Sequence, residues 1–344
     1  MRTITNVKNI IPTTVRKTVA DLIKPLISES GHSQYKREQI TDVLITASLM
    51  HESLETTAKE PISDTVFLRI TRSYKKLRKL IRKGRPKIDE EVDLAIDVHD
   101  EMYHGEKKRG IVGTKPKNGS HFAFKFLAVR IVSGNKQYIV DIIPLLEKGV
   151  TKPTINAIEE LRRTYNIRYV LMDGEFYSSG LLVHLDKRGI IYICRRKSST
   201  ALDNQNMPYK KAVSYPIKVT SEKDSKKCFV YRFHGRKDDF YLASNMKEQA
   251  GKIRKLFRIR WRIETTFREV KRFGIKTCTR SRFVRLFFYF ISCLLYNLWI
   301  SIRSKTKRTI IRMNDLKHTL LEFVMRNSPK IRIFGIGLYI KHSG

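Results

Sequence analysis

The sequence predicts an α/β protein: a mixed sheet with helical crossovers, interrupted by a β-rich insertion and preceded by an all-α basic segment. Three observations predict it. Apolar residues recur at helical spacing as far as about residue 85, then switch to alternation. From there the order is three strands, helix, strand, helix, strand, which builds one sheet with helical crossovers. The chain of 344 residues carries 69 Lys+Arg against 33 Asp+Glu, a formal charge of +36, while keeping 41% hydrophobic residues. It therefore has material for a core beside a surface made for a polyanion.

The elements follow in order. Thr13–Ile27 and Glu38–Met50 have helical periodicity, and a short segment, Ser53–Glu60, follows. Pro61-Ile62-Ser63-Asp64 gives a stop and a new N-cap, and a third helix runs from Thr65 to about Ile81 into the basic run RSYKKLRKLIRKGRPK. Three helices ending in a basic one fit a helix-turn-helix type of DNA-binding unit, residues 1–85; an ordinary bundle with a solvated basic face is the alternative. Val92, Leu94, Ile96 and Val98 alternate with Asp93, Ala95, Asp97 and His99, the period of a strand. A basic glycine-bearing loop holding Lys107, Lys108 and Arg109 leads to HFAFKFLAVRIV, a second strand, and Lys136–Pro144 is the third. Helix Thr154–Tyr165, strand Ile167–Met172, helix Ser179–Lys187 and strand Ile190–Cys194 complete a block spanning 86–196. YPIKV, KCFVYRFHG and DDFYLASNM read as strands of an insertion, 197–250. One long basic helix is expected from Gln249 to about Phe273. It belongs to a block 251–310 that holds a last helical region, 283–303, and a basic tail, 311–344, ends the chain.

The charge excludes little by itself, but the apolar content excludes a disordered basic tail or a histone-like arm. A folded chain this basic is best explained by nucleic acid, with an anionic membrane surface second. Cys194, Cys228, Cys278 and Cys293 form no C-x-x-C pair, which argues against a disulfide scaffold or a structural zinc site and for reduced intracellular thiols. The N-terminal residues contain no apolar run of signal-peptide length. Leu286–Ile302 has 17 residues without a charge. It is short of the roughly 20 a spanning helix needs and contains Ser292, Asn297 and Ser301, so a helix buried against a sheet is expected.

Acidic residues stand where such a sheet places chemistry. Asp97 lies near the end of the first strand, and Asp173 at the carboxyl end of the fourth, before Gly174. Each alone could be a turn or cap residue. The helix FRIRWRIETTFREVKRF adds a third group. At about 100° per residue, Glu264 lies roughly 40° from Arg260, Lys271 roughly 20° and Phe257 roughly 60°. A carboxylate thus shares a stripe with two cations, while Arg258, Arg262 and Glu269 form a second charged face. A solvated i,i+4 salt bridge would read the same way, but Trp261, Ile263 and Phe267 imply a packed helix. Asp93, Asp100, Glu101 and Glu175 are alternative carboxylates. Asp93 sits roughly 13 Å back along the strand from Asp97, and Glu175 is the best substitute. His99 and His104 read as polar strand-face or loop residues rather than ligands.

Phe257, Arg260, Glu264 and Lys271 have the spacing Y-xx-R-xxx-E-xxxxxx-K, with Phe in place of Tyr. This resembles the signature of DDE insertion-sequence transposases, the cut-and-paste enzymes of bacterial and archaeal mobile elements. AIDVHDEMYHG around Asp97 and LMDGEFYSSG around Asp173 look like the first two acidic motifs of that group. The resemblance covers most of 90–303. It implies a ribonuclease H-like catalytic fold and a triad of Asp97, Asp173 and Glu264, catalytic and metal-ligating. Oxygen ligands without His or Cys favour Mg²⁺ or Mn²⁺, in two-ion sites about 3.5–4 Å apart. Arg260, Lys271, Phe257, Lys107, Lys108 and Arg109 are the expected DNA-phosphate-binding set. The expected partners are double-stranded DNA, as element terminal inverted repeats and as target, and a second copy of the chain when DNA is bound. No membrane is involved, and the location is cytoplasmic, on a prokaryotic nucleoid. Relatives cut the second strand through a hairpin, and some stabilise a flipped base with a Trp in the insertion. Here that stretch has no Trp; Phe229, Tyr231, Phe233, Phe240 and Tyr241 could stack instead, but most read as strand core. An inactive or domesticated DNA-binding derivative, and a nuclease that cuts without joining, are the competing readings.

Overall fold

The fold is described from a computed structural model, in residues 2–25, 36–57, 74–107, 110–117, 119–134, 137–146, 149–196, 207–217, 226–235, 238–305 and 312–327. These form two compact units, residues 1–84 with 268–344, and residues 85–267.

The second unit is built on a nine-stranded mixed sheet. Its strands are β1 (Val92–Tyr103), β2 (Val112–Lys117), β3 (Ser120–Ile131), β4 (Ile139–Leu145), β5 (Ile167–Met172), β6 (Ile191–Arg196), β7 (Ala212–Ile217), β8 (Lys226–Phe233) and β9 (Phe240–Ser244). The order is β2-β3-β1-β5-β6-β9-β8-β7, and β4 pairs with the same β3. β1 is antiparallel to β3 and parallel to β5, and β5 is parallel to β6. Val92–Ile96 is buried without interruption, as expected of an interior strand covered on both faces. The crossovers are α5 (Thr151–Leu161) and α6 (Ser179–Lys187), which bury Ala157, Ile158 and Leu161, and Leu181, Leu182 and Leu185. Ser178 caps α6, accepting from the Leu181 amide, and Gly189 at φ 69° makes the turn into β6. α7 (Ala250–Ile259) and α8 (Trp261–Lys271) follow β9. Ala250, Ile253, Phe257 and Ile263 pack on Ala95, Leu171, Ile193, Tyr231 and Leu242.

Three expectations change here. The loop after β1 contains β2, an edge strand. The β-rich stretch is no separate body, because β9 pairs antiparallel with β6 and carries the sheet on through β8 and β7. The expected continuous helix breaks at Arg260, whose amide bonds back to Phe257 O at 3.0 Å instead of four residues back.

The first unit is helical: α1 (Arg2–Ile23), α2 (Arg37–Met50), α3 (Leu54–Thr57), α4 (Tyr74–Lys83), α9 (Arg282–Lys305) and α10 (Met313–Asn327). α2 is buried from Ile40 to Leu49, and its Asp42 takes both forks of Arg16, at 2.6 and 2.7 Å. α9 is long and apolar enough to cross a membrane by composition, but its apolar stretch is buried. It packs on α1, α2 and α4, so the expected sheet partner is replaced by helices. Pro61–Asp64 and the start of the expected third helix lie outside the described residues.

Candidate active site

Parallel pairing sets the first two acids side by side. Ile96 is opposite Met172, so Asp97 and Asp173 are the next residues along neighbouring strands. The two-residue period puts them on the face of Ala95 and Leu171, where α7 and α8 pack. Asp97 Oδ1 accepts the Val98 amide at 2.8 Å. The Asp97 side chain is 20% exposed. Burial pushes its carboxyl up from 3.8 to about 6; the Val98 amide and Arg260 oppose the rise, and Asp173 and Glu264 add to it. Asp173 caps the 3-10 turn Gly174–Phe176, accepting the Gly174 amide at 2.8 Å, and buried Phe176 anchors the turn. Gly174 thus supplies an amide; it is not among the glycines with positive φ.

Glu264 stands in the first turn of α8, where a carboxylate suits the helix dipole. Its Oε1 accepts from Arg260 Nη2 at 3.1 Å, and it is 43% exposed. Arg260 is 4% exposed and also reaches Asp97, Nη1 to Oδ2 at 3.7 Å. The buried Phe257 ring lies 5.3 Å from its guanidinium, so the aromatic ring of the signature is retained as a wall for the cation. Arg260 Nε and Nη1 make no hydrogen bond within the described residues. The structure therefore gathers Asp97, Asp173, Glu264, Arg260 and Phe257. Lys271 is exposed at the end of α8 and Lys107 is exposed after β1, while Lys108 and Arg109 lie outside the described residues. Among the described residues no three His, Cys, Asp or Glu side chains are close enough to hold one metal ion.

The alternative acids have other roles. Asp93 is buried and takes both forks of Arg168 at 2.9 Å. Asp100 accepts from Thr114 and pairs with Lys125 at 3.6 Å. Glu175 is exposed. His99 is buried with its ring 5.2 Å from Phe267, and His104 is exposed. Tyr231, Phe233 and Tyr241 are core, and Phe229 and Phe240 pack against it.

Two residues escaped the sequence reading. Arg130 is fully buried and donates to the Arg262 carbonyl and to Gln137 Oε1. Arg262 returns the contact, donating to Val132 O at 2.8 Å and Gly134 O at 3.1 Å. This exchange fixes the start of α8, so Arg262 is not simply part of a solvated face. A lone arginine in the apolar run HFAFKFLAVRIV was the available signal, because a buried charge must find partners. The second is Trp261. It was expected to be packed, yet it is 60% exposed. With Arg195, Phe240, Arg254, Phe257, Arg258 and Arg260 it lines a cavity of about 830 Å³. That lining offers forked cations and a flat apolar face together, which suits phosphate and base.

The comparisons with known proteins agree. No curated protein matches the chain. A structure described as a cryo-EM structure of the piggyBac transposase synaptic complex with hairpin DNA is similar, with a TM-score of 0.60 and 14% identity. The likeness covers 92% of this chain and 81% of that one, which makes it a likeness of fold. Residues 104–298 match the family described as Transposase DDE domain. The match takes in Asp173 and Glu264, and begins seven residues after Asp97. It spans more than half of the sequence, so the chain belongs to the DDE transposases and is a DNA transposase.

Proposed function

We propose that this transposase cuts the ends of its own element and joins the freed 3′-hydroxyls to target DNA at one site made of Asp97, Asp173 and Glu264. The observation that carries the reading is the adjacency of Asp97 and Asp173 across parallel strands, with Glu264 tied to Asp97 through Arg260. The order β4-β3-β1-β5-β6, antiparallel and then parallel, supports a ribonuclease H-like core, and the matched family supports a divalent-metal enzyme. The three carboxylates would hold the metal. Their all-oxygen chemistry fits Mg²⁺ or Mn²⁺. Their spacing here is not yet that of a ligand set. Held by these carboxylates, divalent ions would supply activation of the attacking water or hydroxyl and stabilisation of the leaving oxygen.

The chain's own residues do the rest. Arg260 forks onto a phosphate of the cut strand, backed by Phe257, while Lys271 and the basic loop of Lys107, Lys108 and Arg109 hold phosphates as point charges. In the first step water attacks the phosphodiester at the element end, releasing a 3′-hydroxyl. In the second that hydroxyl attacks a target phosphodiester, whose 3′ oxygen leaves. The helical segment 1–85 is the reading for end recognition, the stretch 197–250 for support of the site, and 311–344 for further backbone contact. Two copies would hold two ends together. The hairpin DNA of the piggyBac complex supports a hairpin route for the second strand here. An insertion-sequence origin on a prokaryotic nucleoid completes the reading.

The test is cleavage of DNA carrying the sequences that flank the gene, in Mn²⁺. Glu264→Gln keeps an oxygen for Arg260 but loses the charge. It is expected to bind those ends normally and cut them about a thousand-fold or more slowly. Cleavage within a few-fold of wild type would remove Glu264 from the site.

A further inference from the structure

The acids stand close enough to feel one another, yet among the described residues they form no metal-sized cluster, and the Arg260 guanidinium contacts both Asp97 and Glu264. We propose that Arg260 is a removable counter-cation. Without DNA it occupies the space shared by Asp97 and Glu264 and keeps divalent cations from bridging that pair. A DNA phosphate draws the guanidinium away, and the two carboxylates then become free to ligate. The inference rests on the proposed triad.

The contacts suit an exchange rather than a permanent bridge. Arg260 gives Glu264 a single hydrogen bond at 3.1 Å, and its 3.7 Å approach to Asp97 lies outside hydrogen-bond range. Among the described residues Nε and Nη1 find no hydrogen-bond acceptor, although the side chain is almost wholly buried. A buried donor without an acceptor is costly, and a phosphate offers the two oxygens that the planar fork matches. The neighbouring groups favour that exchange. Phe257 backs the guanidinium, and Arg195, Arg254 and Arg258 line the adjoining cavity, where they would attract the same polyanion. Glu264 is the most exposed of the contacts and sits one turn along the helix, so it can move toward Asp97 once released. Arg260 lies at the break between α7 and α8, where the i→i−4 pattern is already interrupted and a change of side-chain position disturbs little backbone. This device would tie metal loading to DNA binding and guard against cutting away from an engaged end.

The experiment is Mn²⁺ titration of the full-length chain without DNA, followed by calorimetry and electron paramagnetic resonance. The variants are Arg260→Met, Asp97→Asn and the double substitution. Arg260→Met, of similar length and no charge, is expected to bind Mn²⁺ at least ten-fold more tightly than wild type. Adding Asp97→Asn is expected to remove that gain. If Asp97→Asn weakens Mn²⁺ binding but Arg260→Met does not strengthen it, the counter-cation role falls and the triad stands. If Asp97→Asn changes nothing in either background, the triad falls and takes the inference with it. Should Arg260→Met fail to fold, wild-type crystals grown without DNA in millimolar Mn²⁺ decide. Arg260 still bound to Glu264, with no ion on that carboxylate, is the expected result. An ion ligated by both Asp97 and Glu264 while Arg260 keeps its place would overturn it.

Discussion

Asp97 shows at the scale of one residue how a buried carboxylate costs stability. Its carboxyl is pushed from 3.8 to about 6 chiefly by burial, so the folded chain holds that proton more tightly than the unfolded chain. The sign follows. Below about pH 4 the group is protonated in both states and costs nothing. As pH rises from 4 to 6 the folded state loses ground, and above 6 the loss is constant. A shift of this size corresponds to on the order of 2–3 kcal/mol at pH 8. Asp97→Asn is therefore expected to unfold at a higher temperature than wild type at pH 8 in chelator, and at nearly the same temperature at pH 4. The melting temperatures at the two pH values check it; a lower value for the variant at pH 8 would show that the charge is stabilising. If Asp97 belongs to the proposed site, the same substitution is expected to abolish cleavage, so that stability and activity move in opposite directions at this residue, as where function keeps a destabilising group.

At the scale of elements, α8 is held by groups far from it in sequence. Arg130 on β3 and Arg262 on α8 exchange hydrogen bonds with each other's backbone surroundings. Arg130→Met takes a buried donor from Gln137 Oε1 and from the Arg262 carbonyl, which keeps Thr266 Oγ1 at 2.8 Å, and is expected to destabilise the sheet unit by about 2–4 kcal/mol, measured by urea unfolding. A loss under 1 kcal/mol would mean that α8 is held by packing alone. In the helical unit the segment after α8 is caught in a comparable way. Ser48 and Ser292 both donate to the Phe273 carbonyl, and Lys317 donates to Leu49 O and Arg272 O. Burial, with repulsion from Arg272, pushes the Lys317 ammonium down to about 8. The unfolded chain then binds the extra proton between about pH 8 and 10, so stability gains with rising pH in that window. Lys317→Met is expected to lack that gain; parallel pH–stability curves for the two proteins would sink the assignment. These ties also mark what the sequence made legible. Alternation exposed β1, and Gly189 marked the turn from α6 into β6, whereas the Ser178 cap went unread. β2 was hidden because Gly113 and Pro116 read as loop, although an edge strand that pairs only with β3 tolerates both. β7, β8 and β9 were legible as strands, but their pairing onto β6 depends on residues about 50 positions apart in sequence. The break at Arg260 has no Gly or Pro to announce it. Asp97 and Asp173 could be picked out by their places at strand ends, and Glu264 and Arg260 by helical spacing, whereas the spacing of their side chains could not.

At the scale of the whole molecule, the charge of +36 has a measurable consequence. α7 exposes Lys252, Arg254, Lys255 and Arg258, and Lys271 is exposed one helix later. Each cation that neutralises a DNA phosphate releases condensed counterions, so the logarithm of the binding constant falls linearly with the logarithm of salt. The slope counts phosphate contacts at about 0.9 per contact on duplex DNA. A chain of this charge is expected to show a steep slope on any duplex, and to keep a difference between element ends and random DNA as salt is raised. Lys271→Ala removes one exposed point charge and no core contact. It is expected to leave the melting temperature within about a degree and to weaken binding to every duplex similarly. It should also flatten the slope by roughly one unit. Arg254→Ala, at the cavity beside Arg260, is expected to flatten the slope in the same way, but it also removes a cation from over the Phe233 and Phe240 rings, 5.7 and 5.8 Å away. Fluorescence anisotropy at four or five salt concentrations measures both. If Lys271→Ala leaves the slope unchanged, Lys271 does not contact a phosphate and its place in the signature serves something else. If the slope falls by several units, the side chain organises other cations, and the phosphate set must be redrawn around it.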